Sequence, residues 1–274
     1  MGKLHPAIEL AHFGPEGSKP DLLVISSHDG SGSEFVRERN AFFDKFMNPE
    51  DSLEDMAQYL EIARDRGVND LALRMILHLE EMGLSVDFIK FLWPRGIVDV
   101  NRYLFEHAFW DVWEEHAEKD PEFLRFQEDM RAGHDAFIEL LRGYGGVPKV
   151  DMHSMGPYAV DPIAGDLRSY VEGFKLIRPD KRINIISTTA WKPNRSLLDA
   201  AFWHFDESEK VENVPYGAHE RMGITTTCHL MDECPGEVAT WDIPKVLIAT
   251  RKQRSALAKR FADGMGSFYF KKAA

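Results

Sequence analysis

The sequence predicts an α/β fold in a single domain, with a mixed, mostly parallel central sheet flanked by helices. Three observations carry that expectation. Leu22-Leu23-Val24-Ile25 is a short, wholly apolar run followed by turn residues, the pattern of a strand buried on both faces. Stretches with apolar residues at helical spacing alternate with such runs, as in βα units. The chain has 274 residues and shows neither an internal repeat nor a long linker, so one domain accommodates it.

Residues 1–20 read as an arm, because Pro6, Gly14, Pro15, Gly17 and Pro20 interrupt any helix. The strand at 22–25 runs into Ser26-Ser27-His28-Asp29-Gly30-Ser31-Gly32-Ser33-Glu34, a polar, glycine-rich loop. Open α/β sheets place ligands at such strand ends. Leu53, Met56, Ala57, Leu60 and Ala63 predict a helix over 51–66, stopped by Gly67. Leu71, Met75, Leu79 and Met82 predict another over 69–82, ended by Gly83. Phe88–Trp93 reads as a strand leading into Pro94–Arg102, where alternation puts Asp99 and Asn101 on one side and Val98 and Val100 on the other. A helical insertion follows over 103–146, broken near Asp120-Pro121. Val147–Met152 and Ile183–Ser187 read as strands, Ser196–Phe205 as a helix and Ile224–Met231 as β-prone. A helix over 243–262 closes the domain.

Composition narrows the function. With 33 Lys+Arg against 45 Asp+Glu, the formal charge is −12. That disfavours nucleic acid, whose binding rests on phosphate neutralisation. It leaves room for a small anion, since a few arginines reverse the potential locally. No run reaches the ~18 apolar residues of a membrane helix. No apolar core follows Lys3, so a secretory signal is not expected, and Cys228 and Cys234 read as reduced thiols in a cytoplasmic protein. No oligomeric state is implied.

His28 and His153 each end a predicted buried strand. Strand ends on one edge of a parallel sheet are neighbours, so two imidazoles far apart in sequence can meet. A hydrolytic zinc site needs three protein ligands and an open position. Glu34, Asp29 and Asp151 are the nearby carboxylates. At spacing alone, a plain hydrogen-bonding role for both histidines stays open. Arg102 can fork onto a carboxylate or pair internally with Asp99 or Glu106.

Four stretches together resemble the N-formylglutamate amidohydrolase family, related to zinc carboxypeptidases and aspartoacylases. Leu23–Gly30 is similar to the family's strand ending in His-x-Gly, with Ser27 where the family has Pro. Arg95–Arg102 resembles its Arg-x-x-x-Asp-x-Asn-Arg segment, and Asp151-Met152-His153-Ser154-Met155 its Asp-x-His-Ser-Met. Asn213-Val214-Pro215-Tyr216 resembles its Asn-x-Pro-Tyr turn. The resemblance covers roughly residues 20–240 and implies a zinc-carboxypeptidase-like fold and a mononuclear zinc amidohydrolase. It implies His28 and His153 as metal ligands, completed by Glu34 or Asp29. It implies Asn101, Arg102 and Ser154 as substrate-binding residues, with Arg95 orienting the clamp or polarising the scissile carbonyl. The family's strand Glu has no counterpart in Ile224–Met231, so Glu233 or His229 takes the role of general base, with Glu220 next. The expected reaction is hydrolysis of the amide of a small carboxylate-bearing N-formyl or N-acyl amino acid. The alternatives are peptidase-like or ring-opening zinc chemistry, or an inactive binder of an acidic metabolite.

Overall fold

The computed structural model describes residues 4–49, 51–100, 119–155, 158–160, 174–176, 182–186, 195–213 and 238–272. Among these, seven strands form one mixed sheet. They are β1 (Ile8–Phe13), β2 (Leu22–Ser26), β3 (Val86–Phe91), β4 (Lys149–Met155), β7 (Ile183–Ile186), β8 (Lys210–Asn213) and β9 (Val238–Pro244). Their order is β1-β3-β2-β4-β9-β7-β8. The central block β3-β2-β4-β9 is parallel throughout. β1 joins one side antiparallel, and β7, parallel to β8, meets β9 antiparallel. A separate two-stranded ribbon pairs β5 (Tyr158–Val160) with β6 (Phe174–Leu176). No described helix is long and apolar enough to cross a membrane.

Helices cover both faces. On one lie α1 (Gly32–Glu38), α2 (Asn40–Phe46), α3 (Leu53–Ala63) and α5 (Pro121–Arg142), which bury Phe35, Phe43, Met56, Leu60 and Phe137 with Leu23, Ile25, Ile89 and Phe91 of the sheet. On the other lie α4 (Val68–Glu81), α6 (Arg195–Ala201) and α7 (Arg251–Lys272), which bury Leu71, Met75, Leu198 and Phe261 with Leu22, Val24, Val150, Met152, Trp241 and Ile243. Strand side chains alternate between faces. The alternation leaves Asp151 and His153 of β4, and Thr240 and Asp242 of β9, opposite the wholly apolar α4/α6/α7 face, and all four are buried. The polar face of these two central strands is where the site forms.

Four elements differ from expectation. The arm is not irregular: Ile8–Phe13 is an edge strand along β3, because its backbone satisfies that sheet edge. Residues 94–100 do not continue a strand. The amides of Ile97 and Val98 both turn back to the Pro94 carbonyl, at 2.9 and 3.1 Å. Val238–Pro244 is a central strand, with Ala239, Trp241 and Ile243 alternating onto one core. The closing helix therefore starts later, at Arg251. Thr250 and Gln253 cap it reciprocally: the Gln253 amide donates to Thr250 Oγ1 (3.3 Å) and the Thr250 amide to Gln253 Oε1 (2.9 Å). Of the 103–146 stretch, residues 103–118 lie outside the described residues, and α5 starts at Pro121 with Asp120 as its cap.

Candidate metal centre

β2 and β4 run parallel with Ile25 opposite Asp151. That register carries His28, two residues past the end of β2, to the level of His153. The two imidazole centroids are 4.9 Å apart. The loop bearing His28 lies tight against the exit of β3. A Cβ on Gly30 would stand 2.3 Å from the Leu92 carbonyl oxygen, so only glycine permits the approach.

The third member is Asp65, which follows α3. Its amide donates to the His28 carbonyl at 2.9 Å, and Gly67, at φ 96°, makes the turn that leads into α4. Asp65 Oδ2 lies 3.2 Å from His153 Nδ1 and 3.5 Å from His28 Nδ1. Ser154 Oγ approaches Asp65 Oδ1 at 3.5 Å. All three residues are buried, and one ligating atom from each lies within 4.8 Å of the others.

The outer nitrogens are braced. His28 Nε2 lies 2.9 Å from Asp99 Oδ1, and His153 Nε2 lies 2.9 Å from Asp151 Oδ2. A carboxylate behind each imidazole fixes the ring and its tautomer so that the other nitrogen faces the centre, as around many protein metals. Arg95 Nε in turn donates to Asp99 Oδ2 at 3.0 Å. Among the described residues the Arg95 guanidinium is held through Nε alone, and its side chain is 26% exposed.

Two observations test whether these residues suit a divalent ion. His28 Nδ1 is buried without a hydrogen-bond partner, although a buried nitrogen left unpaired is costly. Tetrahedral zinc with bonds of ~2.0–2.1 Å holds its ligand atoms roughly 3.4 Å apart. The observed 3.2 and 3.5 Å edges already have that size. Charge agrees as well. With neutral imidazoles, Asp65, Asp99 and Asp151 outweigh Arg95 by two negative charges, which a dication cancels. The donor set fits a zinc-like ion.

The ionisation of the metal-free centre is strongly coupled. Burial opposes charge on Asp65, yet the hydrogen bond from His153 and the neighbouring His28 imidazole hold its carboxyl well below the usual range. Burial likewise opposes a charged His153, but Asp151 and Asp65 outweigh it and raise the imidazole well above its ordinary value.

The residues singled out in the sequence fall into three groups. His28 and His153 meet, with Asp65 as the carboxylate between them in place of Glu34 or Asp29. Glu34 lies on the outer face of α1, its side chain 60% exposed and paired with Arg37. Asp29 is buried but engaged elsewhere: Arg64 Nε donates to Oδ1 at 2.7 Å, and the Gly67 and Asn69 amides donate to Oδ2 at 3.3 and 2.9 Å. Ser154 and Arg95 stand beside the centre, Ser154 against Asp65 and Arg95 behind Asp99. Asn101, Arg102, Glu220, His229 and Glu233 lie outside the described residues. Asp65 was not read from the sequence. The signal available was an acid between two arginines at a helix exit, Arg64-Asp65-Arg66-Gly67, with no spacing rule tying it to His28.

No family model matches the sequence, and no curated protein matches it. Solved structures do. A gene product of Agrobacterium tumefaciens is 16% identical with a TM-score of 0.59, over 97% of this chain and 94% of that one. N-formylglutamate amidohydrolase from Ralstonia eutropha JMP134 is 13% identical with a TM-score of 0.52, over 97% and 99%. A metallo-carboxypeptidase from Burkholderia cenocepacia is 9% identical with a TM-score of 0.46, over 98% and 66%. The chain is thus an α/β protein whose fold is that of an N-formylglutamate amidohydrolase, with a buried His-Asp-His group suited to a metal at the ends of its central strands.

Proposed function

We propose that this protein is a metal-dependent amidohydrolase that cleaves the amide of a small carboxylate-bearing N-formyl or N-acyl amino acid. The observation that carries the reading is the convergence of His28, Asp65 and His153, with Asp99 and Asp151 behind the imidazoles. Three protein ligands leave a fourth position open, which separates hydrolytic from structural zinc sites. When bound, the metal supplies Lewis acidity and a water acidified toward neutral pH.

The chain's own residues do the remaining work. Asp99 and Asp151 hold the two imidazoles in place. Arg95, anchored by Asp99, presents its Nη edge to a substrate oxygen. In this reading Asn101 and Arg102 clamp the substrate carboxylate, converting a loose encounter into an oriented one. Glu233 or His229 takes the proton of the attacking water and returns it to the leaving amine.

The test is turnover of a panel of N-formyl, N-acyl and peptidyl amino acids by zinc-loaded protein. Cleavage of formyl or acyl substrates, with loss of 10²–10⁴-fold in kcat in either Glu233→Gln or His229→Gln at unchanged zinc content, supports the reading. Exclusive cleavage of peptides, or no cleavage by metal-loaded protein, refutes it.

A further inference from the structure

Beside the metal centre lies a cavity of about 680 Å³, walled by Arg64, Arg66, Lys245 and Arg254 against Asp29 and Asp70. Its size suits a small molecule. Both carboxylates are already engaged. Asp29 takes Arg64 and two backbone amides. Asp70 accepts two hydrogen bonds from Arg74, each 3.0 Å, and one from Arg254 at 2.5 Å.

Two cations are left over. Lys245 follows β9, and its Nζ donates to the carbonyls of Arg64 (2.5 Å) and Ile62 (3.4 Å) and forms no ion pair among the described residues. Burial pulls this lysine below its ordinary pKa, and the pull outweighs the attraction of Asp65 and Asp29. Arg66 is exposed at the cavity wall and likewise forms no ion pair among the described residues. In a chain of formal charge −12, four cations against two carboxylates in one cavity wall reverse the local potential.

We propose that this cavity binds a phosphate group, free or carried on a small metabolite, between Arg66 and Lys245. A phosphate monoester carries about −1.5 to −2 at neutral pH, which matches the two surplus charges. Guanidinium forks suit its oxygens. Asp29 follows His28 in the chain and Arg64 precedes Asp65, so the cavity adjoins two segments that carry the metal centre. The assignment does not depend on the hydrolytic reading.

The test is calorimetric titration of the full chain with inorganic phosphate and, separately, with a sugar phosphate. Wild-type protein is compared with Arg66→Glu, whose exposed position spares the fold, and with wild type freed of metal by a neutral chelator and dialysis. One phosphate per chain is expected, retained after metal removal and weakened at least about tenfold in Arg66→Glu. Tighter binding of the sugar phosphate identifies a metabolite, and equal binding identifies the free ion. No binding at millimolar phosphate, equal affinity in Arg66→Glu, or loss of binding with the metal each overturns the proposal.

Discussion

Replacing Gly30 by alanine probes how the fold positions His28. The new methyl would stand 2.3 Å from the Leu92 carbonyl oxygen and 2.7 Å from both the Leu92 carbonyl carbon and the Trp93 carbonyl oxygen. A carbon–oxygen contact normally needs ~3.3 Å, so the overlap is about 1 Å. Its partners are backbone atoms rather than the end of a flexible side chain, so the loop itself must move. Overpacking of this kind costs ~1–3 kcal/mol, and a backbone obstacle puts the expected loss near the top of that range. A shift of this loop also draws His28 away from Asp65. Disturbing what orients a ligand typically lowers metal affinity ~10–100-fold. Urea denaturation of metal-free protein reads the first effect, and zinc titration against a chromophoric chelator reads the second. Gly145→Ala is the control, because its nearest neighbour would be 3.9 Å away, and it is expected within ~0.5 kcal/mol of wild type. If Gly30→Ala matches wild type in both midpoint and zinc affinity, the close approach does not set the position of His28.

Three further outcomes follow from the same geometry. Asp151→Asn removes the charge behind His153 Nε2 and should weaken zinc binding ~10–100-fold while circular dichroism stays unchanged; an unchanged affinity would remove Asp151 from the centre. Asp151 and Asp65 raise the pKa of His153 above its ordinary value, so in metal-free protein zinc competes with a proton for this imidazole. Zinc affinity should therefore rise between pH 6 and pH 8, with proton release visible by calorimetry in buffers of different ionisation enthalpy; binding without proton release contradicts this. Far from the site, hydrogen bonds from Arg260 hold Glu209 down to about 2, below its unfolded value, so its contribution is present above ~4.5 and vanishes as pH falls toward 2. Because Glu209 is 39% exposed, solvent screening limits that contribution to at most ~1 kcal/mol. The stability gap between wild type and Glu209→Gln should close over this window, and a gap that persists at pH 2 would assign the effect to packing.

What the sequence discloses follows from how local each signal is. Leu22–Ile25 and the helix ending at Gly83 are legible because an apolar run or a 3.6-residue period is complete within a short window. His28 and His153 stand out because each closes a run that reads as a buried strand, where a polar side chain is unusual. Val238–Pro244 is masked by the helical signal that begins near 243, because a proline at 244 suits a helix's first turn, although Val238/Thr240/Asp242 and Ala239/Trp241/Ile243 alternate with period two. The arm strand Ile8–Phe13 has no strong pattern of its own and is held by pairing with β3, a non-local contact. Asp65 is hidden for the same reason. It reaches the imidazoles through the α3–α4 turn, and nothing in the spacing of 28, 65 and 153 encodes that path. Glu34 was the natural candidate by proximity in sequence, but α1 turns it outward to Arg37.

The most direct test of the metal centre is elemental analysis of the full chain, purified and reconstituted with zinc, beside His153→Ala and Asp65→Ala of verified fold. The centre built from His28, Asp65 and His153 requires about one divalent ion per chain in wild type and its loss in both variants, since two remaining ligands do not retain zinc at ordinary concentrations. Stoichiometric metal in Asp65→Ala, or none in reconstituted wild type, would contradict it.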